Sequence, residues 1–326
     1  MRKTGFILIL AILIFITSCA TSVSYQTTRL PEWNTASIRS IAVIPFEESE
    51  NTPLQRHASM LLNSISYSQI RGANHFAQVQ VQTNENRGSF DAFFTGKVYY
   101  VVVNDNIQNE TRVDQKDETE ANYVIFERTV QIAFIYTLSD SNGIVIGTRT
   151  IEDLLTDYYE LAEDEADNQE NIRQPRGRRT QNQTENRINN YLKSPEVMVQ
   201  EIIEKNMKDL TRDMVPYTVT ERRSLMNENS KDKAVKQRSK EAASLVKAGN
   251  YNAAQNAFLD IYRDTGSYAA AFNAALVMTV QRQLNEALLL MQNVLNETGD
   301  QRAREEILRL QRLIDNENRA AAYRVN

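Results

Sequence analysis

Few residues in this 326-residue chain have types and spacings suited to chemistry. There is one cysteine, Cys19, and there are two histidines, His57 and His75. A thiolate is a nucleophile. Ile16, Thr17 and Ser18 lead into Cys19, an aliphatic residue and then two small ones that leave the backbone open to a peptidase. The histidines fall in no HExxH pair or other ligand spacing. Ten glycines are spread thinly, with no phosphate-cradling loop and no G-x-S-x-G elbow. Carboxylate pairs such as Glu47 and Glu48, or the run from Glu163 to Asp167, lie in polar stretches where solvation accounts for them. The reading is no catalytic residue, no metal site, no cofactor and no enzyme activity.

What precedes Cys19 gives its thiol a context. Arg2 and Lys3 are followed by an apolar run from Phe6 to Ile16. That run is too short for the roughly 20 residues of a spanning helix and suits a signal-peptide core. Ile16-Thr17-Ser18-Cys19 resembles the lipobox of bacterial lipoproteins. The resemblance implies a removable signal over residues 1–18 and a diacylglycerol on Cys19. Ala20 stands where aspartate would, by the enterobacterial rule, retain a lipoprotein at the inner membrane, which implies an outer-membrane anchor facing the periplasm.

Loss of the signal leaves 308 residues, enough for two domains. The 37 basic residues, less Arg2 and Lys3, become 35 against 42 acidic ones, a balance of −7. Such a chain has no overall electrostatic reason to bind nucleic acid. With its one cysteine acylated it has no internal disulfide and must hold its core by packing.

Residues 19–37, polar with Ser, Thr, Gln and a Pro, read as a lipidated tether that includes Trp33. Ser40 to Phe46 reads as a buried strand, and Leu54 to Ile70 places apolar residues at helical spacing. Strands are expected at His75–Gln82, Phe93–Val103, Val124–Leu138 and Ile144–Ile151, with a turn at Asp140-Ser141-Asn142-Gly143. Residues 155–192 read as a polar insert, acidic and then basic. Pro195 to Met214 reads as one helix, and Thr218 to Leu225 as a closing strand. SIAVIPF, FAQVQVQ, AFFTGKV and the hairpin TVQIAFIYTLSDSNGIVIGTRTIED resemble the strands of CsgG-like domains. That resemblance implies a mixed α/β sandwich over residues 38–225.

From Asp232 onward, over residues 232–326, the chain turns alanine-rich and helical. Gly249-Asn250-Tyr251-Asn252-Ala253-Ala254 has a counterpart 33 residues later in Arg282-Gln283-Leu284-Asn285-Glu286-Ala287. Ala242, Leu245, Ala254, Phe258 and Ile261 correspond to Ala275, Met278, Ala287, Met291 and Val294. The pattern is similar to tetratricopeptide repeats, although the second turn carries Arg282 instead of glycine. Gln301 to Arg319 suits a capping helix.

The fold expected is α+β: a CsgG-like sandwich followed by an all-α repeat domain. The function expected is that of a lipid-anchored, non-enzymatic scaffold that takes a protein partner in the envelope. Tyr251, Tyr268, Asn273 and Gln281 are the candidate groove residues. The alternative is an oligomeric CsgG-like secretion channel or an accessory component of one, the channel disfavoured because Asp105 to Asn122 is too charged to face lipid.

Overall fold

The computed structural model describes residues 21–48, 52–82, 90–113, 120–162 and 188–323. The chain is α+β and divides into two compact units. Of the described residues, Pro31–Val215 and Tyr323 form one, and residues 21–30 with Pro216–Ala322 form the other.

The first unit is a sheet with helices on one face. β2 (Ser40–Val43) lies parallel to β4 (Gln78–Val81) and to β5 (Ala92–Val113). The sheet continues antiparallel through β6 (Glu120–Asp140) to β7 (Val145–Ala162), and the short β3 (Glu47–Glu48) also pairs with β5. Alternation along β6 buries Val130, Ile132, Phe134, Tyr136 and Leu138. They pack with Leu62 and Ile70 of α1 (Pro53–Gly72) and with Met198, Ile202 and Ile203 of α2 (Pro195–Met207). α1 starts on a capping box, with Thr52 accepting from the Gln55 N–H and Pro53 in its first turn.

β5 and β7 run well past the ends expected from their apolar stretches. The polar residues after Val103 are strand because they stay in antiparallel register with β6, bonding it at alternate residues, while most of their side chains are exposed. Leu155–Ala162 therefore belongs to β7 and not to an insert; of the rest of that expected insert, 163–187 lies outside the described residues and 188–191 is a helical turn. Its Tyr191 stacks between Phe126 and Tyr159 at 4.9 and 5.0 Å. The single helix expected over Pro195–Met214 is two, α2 and α3 (Leu210–Met214), which break at Lys208–Asp209. Val215, before a proline, turns extended as its sterics require.

The second unit corrects two boundaries. Ser22–Arg29, inside the expected tether, forms β1, and β8 (Tyr217–Ser224) pairs with it antiparallel instead of closing the sheet above. The composition of SVSYQTTR is that of a linker. Its period of two, with Val23, Tyr25 and Thr27 buried, is that of a strand. Trp33, also in the expected tether, is buried in the sheet unit at 5.9 Å from Tyr136, where Gly147 leaves room for its ring.

Five helices complete the second unit: α4 (Lys233–Lys247), α5 (Tyr251–Thr265), α6 (Tyr268–Val280), α7 (Leu284–Thr298) and α8 (Gln301–Ala321). Gly249 and Arg282 hold equivalent left-handed turns (φ 75° and 65°), and Gly266 and Gly299 another pair (φ 65° and 68°). In the first pair the N–H of Asn250 reaches Leu245 O, and that of Gln283 reaches Met278 O, at 2.9 Å each. This six-to-one closure ends both helices in the same way, so the 33-residue spacing is a repeat of backbone geometry as well as of residue type. The paired positions Ala242/Ala275, Ala254/Ala287, Phe258/Met291 and Ile261/Val294 are all buried in one core.

Candidate functional site

Cys19 and the Ile16, Thr17 and Ser18 before it lie outside the described residues. Among the described residues no group of three or more His, Cys, Asp or Glu is placed to hold a metal ion. Nor is any described helix long and apolar enough to cross a membrane. His75 is buried, and burial lowers its pKa.

The helical unit carries a built polar site. α6 is buried along almost its whole length because helices flank it and the β1/β8 ribbon lies on it and on α8. Asn273, 1 % exposed, clamps the chain just after β8. The Met226 N–H donates to its Oδ1 at 2.7 Å, and its Nδ2 donates to Met226 O at 2.9 Å. Next to the ribbon Glu306 is buried on α8, the one acidic residue on a face otherwise made by Ala303, Leu310 and Leu313. It accepts from Arg223 of β8 at 2.7 and 3.0 Å and from Arg309 Nε at 2.9 Å. Arg309 Nη1 also donates to the Tyr25 hydroxyl of β1 at 2.9 Å, and Asn316 Nδ2 donates to Thr28 O at 3.2 Å.

These charges hold one another in register. Burial pushes the Glu306 carboxyl up, but Arg309 and Arg223 more than reverse that, and its pKa is lowered. Burial raises the Tyr25 phenol against the pull of Arg309. The Tyr268 phenol is pushed up to about 12, first by burial and then by Glu306. Arg302 stacks over its ring at 4.2 Å.

Of the four residues read as a partner groove, two are therefore already engaged. Tyr268 and Asn273 are buried, and the Asn273 amide is taken up by the chain's own backbone. This corrects the expectation of an open groove at those positions. Tyr251, at the start of α5, and Gln281, at the end of α6, remain partly exposed; Gln281 Nε2 donates to Gln255 Oε1 at 2.6 Å. The residues missed by sequence reading are Tyr25, Arg223, Glu306 and Arg309. The available signal was one glutamate on the apolar stripe of an amphipathic helix, which needs a cationic partner.

The sheet unit has its own buried polar group. Asp213 accepts from the Tyr136 hydroxyl at 3.1 Å and pairs with Arg149 at 2.7 Å; Arg149 also reaches Glu32 at 2.7 Å. Burial raises the Asp213 pKa even though Arg149 lowers it, and burial likewise raises the Tyr136 phenol. The Trp33 backbone N–H donates to Asp213 O at 2.8 Å, and the Thr35 hydroxyl donates to Met214 O. The cluster thus fastens the segment that enters this unit to α3.

No protein-family model matches the chain, and no characterised protein matches its sequence. Among solved structures, the PelC dodecamer from Paraburkholderia phytofirmans is similar at 14 % identity, over 56 % of this chain and 94 % of that one, with a TM-score of 0.24. A neuraminyllactose-binding hemagglutinin homologue from Helicobacter pylori is similar at 9 % identity, over 57 % and 91 % of the two chains, with a TM-score of 0.27. Likeness at this level assigns the chain to no family.

Proposed function

We propose that this chain is a bacterial lipoprotein acylated at Cys19, CsgG-like in its sheet unit and tetratricopeptide-like in its helical unit. On this reading it works without catalysis, as a scaffold on the periplasmic face of the outer membrane. The observation that carries it is the ribbon on the helices. Asn273 grips a backbone amide and carbonyl, a contact indifferent to side-chain identity, while Glu306 and Arg309 fix the strands beside it. Stacked repeat helices leave a concave surface that can accept a peptide or helix in the same way. With the centre filled in cis, the partner is assigned to the partly exposed rim at Tyr251 and Gln281.

A photo-crosslinking residue at Tyr251 or Gln281, in intact bacteria, should yield an adduct with the same envelope protein from both positions. Adducts with further copies of the chain alone would displace the scaffold reading. Acylation is tested separately by the mass of the N-terminal peptide from bacterial membranes.

A second reading, self-assembly, is favoured by one observation. β7 is 18 residues long and ends the sheet, with no strand beyond it among the described residues. An exposed edge of that length is a template for another strand. The channel form of this reading is weaker. Asn104, Asn106, Gln108, Glu110 and Arg112 share one face of the far half of β5, and on the other Asp105, Asn109 and Thr111 interrupt Ile107 and Val113, so neither face offers a continuous apolar band to lipid. Light scattering of the purified chain separates a monomer from a ring.

A further inference from the structure

α4 carries an unusual distribution of charge. Lys233, Lys236, Lys240 and Lys247 are all exposed. At 3.6 residues per turn they fall within an arc of about 60°. None of the four forms an ion pair with another described residue, whereas Arg238, on a different side of the helix, pairs with Asp264 at 2.8 Å. The nearby carboxylates are otherwise engaged: Glu241 accepts from Gln237 at 2.9 Å, and Glu228 accepts from the Ser230 N–H at 2.9 Å and from the Ser267 hydroxyl.

The stripe borders a cavity of about 260 Å³ whose lining includes Lys236, Lys240, Leu225 and Thr21, with Glu228 as its one carboxylate against the two lysines. Thr21 stands two residues after Cys19 in sequence. An extended link of that length reaches about 7 Å. A lipid on Cys19 therefore brings the bilayer surface to the lysine side of α4, well within the roughly 8–10 Å over which charges act at physiological salt.

We propose that the lysine face of α4 is a docking surface for the bilayer that receives the N-terminal lipid, with the phosphates of anionic headgroups as its ligand. The proposal rests on the lipoprotein reading for the position of that bilayer. A lysine near an anionic surface contributes about a fivefold gain in partitioning, so four together hold the helical unit flat against lipid that one acylated residue only tethers.

Cys19 is the one cysteine, so residues 19–326 made without the signal keep a free thiol there and can be coupled through it to maleimide-lipid vesicles whether or not cells acylate the natural chain. Amine labelling read by mass spectrometry should be severalfold slower at Lys233, Lys236, Lys240 and Lys247 on phosphatidylglycerol-containing vesicles than on phosphatidylcholine vesicles. Lys97 and Lys205 should label alike on both. The double variant Lys236→Glu, Lys240→Glu should abolish the difference at Lys233 and Lys247. Equal labelling of the stripe on both vesicle types overturns the proposal. An unmodified Cys19 in cells removes the lipoprotein reading instead, and leaves the lysine face judged by the vesicles.

Discussion

Among the described residues each unit buries one carboxylate, and the two behave in opposite ways. Glu306 has two guanidinium groups on it and a lowered pKa. Asp213 has one, which is shared with Glu32, and a raised pKa. Burial penalises both alike, and the number of dedicated cations decides which effect wins. The helical unit thus depends on an ionised carboxylate, whereas the sheet unit tolerates one at a cost.

That contrast can be tested in order of expected size. Glu306→Ala strands Arg223 and Arg309 in a buried setting and should cost the helical unit about 3–5 kcal/mol in urea unfolding, the typical penalty for a broken buried pair. A loss below about 1 kcal/mol would place those arginines in water and end the comparison. Asn273→Ala removes both bonds to Met226 and leaves a partly buried N–H without its acceptor. The same assay should show about 1–3 kcal/mol.

Acid separates the units next. The Glu306 pKa lies below its ordinary 4.5, so its contribution is present above that value and fades as pH falls through the lower folded value. The Asp213 pKa lies above its ordinary 3.8, so ionisation costs folding free energy at neutral pH, and that cost is relieved as pH falls through its folded value. Hydrogen exchange on acidification should therefore open the helical unit first. Asp213→Asn should cost less than either helical variant, since Tyr136 keeps an acceptor and Arg149 keeps Glu32. Smallest of all, Arg282→Gly should raise thermal stability by at most about 1 kcal/mol, because its left-handed turn favours glycine. Loss of the Arg282–Glu317 ion pair works against that gain.

Much of the fold was legible wherever apolar periodicity coincided with a boundary signal. α1 showed in the helical spacing of its apolar residues, and the hairpin at Asp140–Gly143 in its turn residues, with Gly143 at φ 82°. The 33-residue repeat was legible down to the turn that lacks glycine. β1 was not, because eight residues with a polar outer face look like a linker until β8 is found opposite. The ends of β5 and β7 were hidden for a related reason: main-chain pairing to β6 extends strands whose side chains signal solvent. In the candidate site, Asn273 could be chosen from sequence but its use could not. Its partner Met226 is 47 residues away and contributes only backbone. Glu306 was passed over because nothing local says which arginines will meet it.

The pairing of β1 with β8 also sets a clock. Ser22 and Arg222 are 200 residues apart, yet they bond across the ribbon at 2.7 Å. At the roughly 5–20 residues per second of synthesis, β1 waits about 10–40 seconds for its partner to exist. Its alternation leaves only Val23 and Tyr25 as large apolar groups among Ser, Gln and Thr, a composition that stays soluble while it waits. The first strand made is therefore among the last to be placed.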